Sequence, residues 1–473
     1  MIKKDKKPNI WDVVVIGGGP AGLMSASIAA KFGAKTLLIE KNDVMGKKLL
    51  LTGGGRCNLT NADPDERNFV SKFGKKGNFL FTPLSVFGTD DTVRFFESLG
   101  MKTKVEAGYR VFPETNNAMD VLGILTKFAK NNGVEFRLGI GVAHIKKSGG
   151  LSLKRSKATG KGETSGHIES VILEDGSPEK ILPDGKSNIF PALDKKSNAS
   201  GKTLTGIEIK GKNFILATGG KSRPETGSTG DGLKWLKELG HKVADANPSL
   251  VPIKVKENWV SGLAGITLEN IGVSVWQDSK KVLNNKNIKQ NKILFTHNGL
   301  SGPIILNMSK NIGELLKEKK EIKIAIDFFS GIGLDIMNEK IINLFEKNPK
   351  KKIKNLLFPE VPEKIYLKIL NLLGINGEFF VGEIKRIERT SIVEKFKKFE
   401  LTADSLLGYD KAIVSSGGVA SSEVDFKEMK SKLYNNLFLV GDILDFDRAS
   451  GGFSLQLCWT SGYIAGKIAS FAE

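Results

Sequence analysis

The chain has 473 residues, too many for one hydrophobic core, so two or three domains are expected. Its 40% hydrophobic content is that of an ordinary globular protein, and no apolar run approaches the ~20 residues of a membrane span, so no membrane partner is expected. A formal charge of +19 raises the question of a nucleic-acid surface, but the lysines fall in short clusters ("KEKKEIK", "KNPKKKIKN") without interleaved aromatics or an Arg-rich stripe; they are read as a lysine-rich composition.

Only Cys57 and Cys458 are present, which gives no disulfide framework and points to a reducing cytoplasm. The opening "MIKKDKKPNI" reads as a solvated tail entering a strand, because the apolar run after it is short and ends in glycines, unlike a signal peptide. Residues 12–40, "DVVVIGGGPAGLMSASIAAKFGAKTLLIE", predict strand, tight turn, helix and strand, a βαβ unit with Gly33 as the helix stop. Between 148 and 202 the composition shifts to Lys, Ser, Gly, Thr and Asp, too poor in large apolar residues to offset chain entropy; a flexible insertion in a β-hairpin region is expected, with "IESVILEDG" and "GIEIKG" as its strands.

"NFILATGG" (213–220) reads as a buried strand running into glycines, and "TGSTGDGLKWLKELGH" as a glycine loop opening a helix that ends near Gly240. From 247 to 329 short β-rich runs alternate with turn residues, and 331–397 shifts to helical periodicity. The chain then returns to strand-like "AIVSSGG" and "NLFLVGD" and closes with the helix "SLQLCWTSGYIAGKIASF". This order predicts a nested insertion in which the first and last segments build one domain.

Gly17, Gly19 and Gly22 form G-x-G-x-x-G immediately after a strand and at the start of a helix, with Glu40 closing the next strand. The first glycine permits the turn, the second lets a pyrophosphate approach, the third lets helix and strand pack, and Glu40 suits a ribose hydroxyl. FAD is favoured over NAD by three features: "GGGRCNLTN" after the second strand, "LATGG" ending a later strand, and "LFLVGDILD", which puts Asp442 just past a strand where an acid can take ribityl hydroxyls. No second G-x-G-x-x-G follows a convincing strand, so a separate NAD(P)H domain is not expected.

With "VIGGGPAGLMSA", "GKKLLLTGGGRCNLTN", "LATGGKSRPETGSTGDG", "FTHNGLSGPIIL", "SSGGVASSEVDFKEMKSKL" and "VGDILDFDRASGGFSLQLCWTSGYIAG" in order along the chain, the sequence resembles the BaiN/YhiN-type flavoproteins, also labelled NAD(P)/FAD-dependent or aminoacetone-oxidase-type oxidoreductases. The resemblance implies an α/β fold: a glutathione-reductase-type FAD-binding Rossmann domain with an inserted β-barrel-like domain that carries a nested small helical domain. The corresponding boundaries are 1–222 with 412–473 for the FAD domain, 223–330 with 398–411 for the β domain, and 331–397 for the helices. Two positions depart from the family pattern: Asp442 where Glu is common, and Phe453-Ser454 where Tyr-Asn is common. Either acid can accept ribityl hydrogen bonds, whereas the second change alters contacts beside the flavin ring.

The candidate FAD contacts are Gly17, Gly19, Pro20, Ala21, Gly22, Glu40, Lys41, Lys48, Gly53, Gly54, Gly55, Arg56, Cys57, Asn58, Val142, Ala217, Thr218, Gly219, Gly441, Asp442, Gly452 and Phe453. Gly53 to Gly55 would let the backbone lie against the flavin, or form a tight structural turn. Cys57, Asn58 and His297 are the candidate catalytic residues; Cys57 is a thiolate or a small packed residue, and His297 a proton donor or a hydrogen-bonded structural residue. Gly451 and Gly452 precede the closing helix, whose N-terminal dipole would favour a reduced flavin anion. Cys458 reads as core, and "TGSTGDG" as a domain-junction turn that lacks the Lys-Ser/Thr ending of a Walker loop.

The expected protein is a cytoplasmic FAD-dependent oxidoreductase that passes hydride between flavin and a small-molecule substrate bound against the β domain, with NAD(P)H or O2 as electron partner and no metal. The rivals are a flavoprotein that modifies tRNA or other RNA, and a non-catalytic FAD-binding regulator.

Overall fold

A computed structural model describes residues 10–148, 154–155, 162–163, 166–174, 180–181, 206–284, 292–318 and 320–471. The basic opening tail and most of the expected 148–202 insertion lie outside the described residues. Two units result: residues 1–247 with 414–473, and residues 248–413.

The first unit is a mixed sheet, with a parallel centre, and helices packed on it. Its strands run β3 (Glu135–Leu138), β2 (Thr36–Glu40), β1 (Trp11–Ile16), β6 (Glu208–Leu216) and β7 (Leu437–Leu439), each parallel to its neighbour. β1 and β2 are nearly continuous apolar runs buried along their length, as strands covered on both faces must be. Helix α1 (Pro20–Lys31) follows β1, and the segments expected to be strands within the insertion form β5 (His167–Leu173), antiparallel to β4 (Val142–Ser148), and the first half of β6.

The closing helix α3 (Phe453–Phe471) lies against α1, and small residues set how closely they approach. A Cβ on Gly462 would sit 2.7 Å from the Ala21 carbonyl oxygen, and one on Gly466 would overlap that of Ser25. The C-terminal segment thus completes the domain that the N-terminal fingerprint starts. The unit extends past residue 222, where the sequence reading placed the boundary, because helix α2 (Asp231–Glu238) buries Leu233, Trp235 and Leu236 in the same core.

The second unit carries an eight-stranded antiparallel sheet in the order 267–269, 292–296, 299–301, 253–255, 399–406, 322–327, 272–277, 280–284. Helices Leu334–Glu346, Glu363–Leu372 and Arg386–Lys397, read from sequence as a separate domain, share one core with this sheet: Ile341, Tyr366 and Phe396 pack in the same cluster as Ile324, Phe399 and Leu401. No helix among the described residues is long and apolar enough to cross a membrane.

Candidate functional site

The turn from β1 into α1 is shaped by what its glycines exclude. The Gly17 N–H donates to the Ile39 carbonyl at 2.8 Å, with φ at +107°, and a Cβ there would stand 2.6 Å from the Ala217 carbonyl oxygen. A Cβ on Gly22 would overlap the Gly17 carbonyl oxygen. Gly19 is different: nothing lies within 4 Å of where its Cβ would be, so the chain has left space there. Gly19 is also the N-cap of α1, with no side chain capping the helix and Pro20 in the first turn, so the positive end of the helix dipole faces that space.

Glu40, buried at the end of β2, accepts from the Gly18 N–H at 2.7 Å and from the Asn42 N–H at 2.8 Å and its side-chain amide at 2.7 Å. Its carboxylate therefore stiffens the turn that a nucleotide would approach. Lys41 is held away in an ion pair with Asp231 at 2.7 Å and by Thr229 at 2.6 Å. Lys48 donates to Ser222 at 3.1 Å; burial holds its ammonium below the usual lysine range, with the Asp442 charge opposing the shift. Val142 opens β4 two residues after Ile140, whose N–H donates to the Glu40 carbonyl at 3.3 Å. Thr218, just past β6, has its hydroxyl buried with no hydrogen-bond partner, and Gly219 follows it at φ +72° beside Ser228.

In the loop 52–58, Gly53, Gly54 and Gly55 all take positive φ, and so does Cys57 at +59°. A Cβ on Gly53 would press on the Asn58 N–H at 2.8 Å, whereas Gly54 and Gly55 border open space. Arg56 turns away into an ion pair with Glu106, bonds Asn116 at 2.7 and 3.0 Å, and lies 4.1 Å over the Phe112 ring. The Cys57 thiol is fully buried, and that burial pushes it up to about 12, with Thr52 offsetting in part; it is a neutral thiol near pH 7, which favours the packed alternative over the thiolate. Asn58 is buried with its side-chain oxygen unpartnered.

The C-terminal return fixes this loop in place. Gln456 of α3 accepts from the Thr60 hydroxyl at 2.5 Å and the Thr92 hydroxyl at 2.9 Å, the Trp459 ring N–H donates to the Leu59 carbonyl at 2.9 Å, and Asn61 bonds the Gly451 carbonyl at 3.0 Å. A side chain at Gly452 would overlap the Thr60 carbonyl, so the α3 N-terminus approaches that strand closely. Phe453 packs on Phe69 and Phe73 with ring centroids at 5.0 and 6.0 Å.

After β7, Gly441 turns the chain at φ +72° and Asp442 follows, its carboxylate paired with Arg448 and accepting from the Ser454 hydroxyl at 3.0 Å. Arg448 is the functional-region residue that the sequence reading passed over. Its side chain is wholly buried, its Nε has no partner, and it links Asp442 to Ser454 and the Leu444 carbonyl. The available signal was a cation inside the glycine-flanked turn "DFDRASGGF" that leads into an apolar helix. Burial pushes the Cys458 thiol up too, consistent with its reading as core.

The first unit therefore brings together every candidate except His297. That histidine lies in the second unit, exposed at the turn joining strands 292–296 and 299–301. The residues fit FAD on three counts: the uncapped α1 N-terminus with open space at Gly19 suits a pyrophosphate, the glycine loop at 54–55 leaves backbone accessible, and the unpartnered Thr218 and Asn58 oxygens are acceptors that a bound polar group would satisfy.

Comparison with known proteins adds to this geometry. The family described as HI0933-like protein Rossmann domain matches residues 11–179 and 186–468. The chain is 29% identical to a 3-dehydro-bile acid delta(4,6)-reductase of Clostridium scindens, over 96% of this chain and 98% of the relative. It is 25% identical to a ribosomal RNA dihydrouridine synthase of Haemophilus influenzae, over 95% of this chain and 96% of the relative. Among solved structures, a 3-ketosteroid delta1-dehydrogenase from Sterolibacterium denitrificans aligns with TM-score 0.50 and 11% identity over 98% of this chain and 100% of that one, a likeness of fold.

Proposed function

The chain belongs to the HI0933-like Rossmann-domain family of FAD-dependent oxidoreductases, and from that premise we propose that it is a reductase that saturates a carbon–carbon double bond conjugated to a carbonyl in a small organic substrate, drawing electrons from NAD(P)H. The observation that carries the reading is the open, uncapped α1 N-terminus at Gly19, in the turn where Thr218, whose buried hydroxyl has no partner, lies against Gly17. Support for the reaction class comes from the relatives: a bile acid delta(4,6)-reductase and a dihydrouridine synthase both, by name, add hydrogen across a double bond.

When bound, FAD supplies the centre that accepts hydride from one partner and gives it to the other. The chain's own work is placement and electrostatics. The backbone N–H groups of Gly19 and Ala21 would hold the pyrophosphate, Pro20 between them having none to give, and Glu40, which stiffens the turn, would present a carboxylate to a ribose. Asp442 would take ribityl hydroxyls, and the α3 N-terminus at Gly452 would offer a positive dipole end to the negative charge that reduction adds.

The test is an anaerobic absorbance titration of the flavin-loaded protein with NADH and NADPH, followed by addition of a conjugated enone such as a 3-oxo-4-ene steroid. Rapid bleaching by one nucleotide and reoxidation by the enone are expected. A flavin that stays oxidised with both nucleotides would sink the reading and leave an oxidase fed by another donor or a regulatory flavoprotein.

One observation favours a second reading with the same chemistry on a uracil base in RNA: the formal charge of +19, in a chain whose relatives include ribosomal RNA dihydrouridine synthases. Reoxidation by uridine-containing ribosomal RNA and not by the enone would select it.

A further inference from the structure

In the second unit, two segments far apart in sequence lie side by side. The Ile353 N–H donates to the Phe379 carbonyl at 2.8 Å, the Val381 N–H to the Lys351 carbonyl at 2.8 Å, the Lys354 N–H to the Gly377 carbonyl at 3.2 Å and the Gly382 N–H to the Pro349 carbonyl at 3.0 Å. Lys352 and Phe380 are bridge partners. The ledge is anchored from below by buried Ile353, Val381 and Ile384, and the Tyr366 hydroxyl fixes the Ile353 carbonyl at 2.9 Å. It is a built surface, not a loose loop.

What it presents outward is unusual for a face with nothing to bind. Residues 347–354, "KNPKKKIK", hold five lysines and no acid. Beside them Phe379 and Phe380 are 44% and 46% exposed, and neither ring stacks on another ring or lies under a cation among the described residues. Glu378 neutralises Lys352, at 2.8 Å, and Lys354, its carboxyl held down to about 2 by those two hydrogen bonds. Lys347, Lys350, Lys351, Lys385 and Arg386 have no ion-pair partner among the described residues. Interleaving of aromatics and cations, absent when the lysine run is read along the sequence, is supplied by the fold.

We propose that the ledge of residues 349–354 and 377–386 is a platform for single-stranded RNA, with Phe379 and Phe380 stacking on bases and Lys350, Lys351, Lys385 and Arg386 holding phosphates. Flat aromatic faces beside unpaired cations match a polymer that alternates flat bases with anionic groups. An acidic protein segment would use the cations but has no counterpart for two bare rings. The proposal rests on the RNA reading of the substrate and gives it a place on the chain.

The experiment is fluorescence anisotropy of a labelled oligouridylate of about 12 nucleotides with the full-length, flavin-loaded protein at several KCl concentrations. Phe379→Ala with Phe380→Ala should weaken binding roughly 10- to 100-fold at fixed salt. Lys350→Ser with Lys351→Ser should lower the slope of log affinity against log salt by about 1.4, since each phosphate contact on a single strand contributes about 0.7. Affinity unchanged in both variants overturns the proposal. So does binding to polyaspartate, or to vesicles of phosphatidylserine, that is as tight as binding to the oligouridylate. Bleaching by NAD(P)H is followed on the same samples: intact bleaching without RNA binding removes the platform alone, whereas RNA binding without bleaching removes the reductase reading alone.

Discussion

The two units offer their surroundings different things. The first presents backbone: a helix end, three left-handed glycines and a turn braced by a buried glutamate. The second presents side chains: lysines and two bare phenylalanines on a ledge whose backbone is already satisfied. A backbone site is specified by what must be absent, because one extra methyl group fills it. A side-chain site is specified by what is present, tolerates single losses, and weakens as ions screen it.

The largest expected effect tests the first half of that contrast. Gly22→Val sets side chain against the Gly17 carbonyl, a clash of backbone that no rotamer relieves, so the expected outcome is loss of folded protein and exceeds the ~1–3 kcal/mol typical of overpacking. Gly19→Val, three residues away, meets open space. It should leave the melting temperature of the flavin-free protein unchanged while abolishing FAD retention, measured as flavin per protein after gel filtration. Equal FAD content in Gly19→Val and wild type would show that the open space at the helix end is not where the cofactor lies.

Next in size is a fully buried cation of the first unit. Arg448→Met leaves the Asp442 carboxylate, only 15% exposed, without its cation; breaking such a pair costs about 3–5 kcal/mol. Chemical denaturation of the flavin-free protein measures it, and Asp442→Asn in the same chain should restore part of the loss. No restoration in the double variant would mean that Arg448 acts by packing alone.

The difference between the units also decides what could be read in advance. The G-x-G-x-x-G turn was legible because its glycine spacing, between a strand and a helix, is a local pattern, although the neighbour that Gly17 must clear, Ala217, comes from a distant strand. The return of α3 onto α1 was legible as well, since a small-residue apolar helix at the chain end has to pack somewhere. Arg448 was not, because its partners Asp442 and Ser454 meet only when the turn after β7 closes. Nor was the lysine and phenylalanine ledge, whose two halves are joined by hydrogen bonds spanning more than twenty residues. The partners of Arg56, Glu106 and the Phe112 face, were announced by no local pattern either.

A smaller effect comes from His241, buried in the first unit with its Nε2 2.8 Å from the Ser431 hydroxyl, its Nδ1 unpartnered and its ring stacked on Tyr434. Burial holds its pKa below the ordinary histidine value, and the nearby Glu423 charge only partly opposes this. The unfolded chain therefore binds a proton before the folded one does. Stability is fully present above the unfolded pKa of about 6.5 and is lost as pH falls toward the folded value, by at most about 1.4 kcal/mol per pH unit for one proton. Melting curves from pH 7 to 5 should show this slope, and His241→Gln should flatten it. An unchanged slope would assign the acid sensitivity to carboxylates.

The smallest expected effect bears on the second half of the contrast. Phe396, fully buried among Phe358, Tyr366 and Phe329, should cost about 3–5 kcal/mol when cut to alanine. Phe379→Ala and Phe380→Ala should each change stability by less than about 0.5 kcal/mol, because their rings pack on no aromatic partner among the described residues and are nearly half exposed. Denaturant midpoints of the three variants give the comparison directly. If the two exposed phenylalanines proved as costly as Phe396, they would be structural, and the ledge would need no partner to account for them. If they cost nothing, two large apolar rings stand in water beside unpaired lysines with no role in holding the chain together, and what they do must be sought in what binds there.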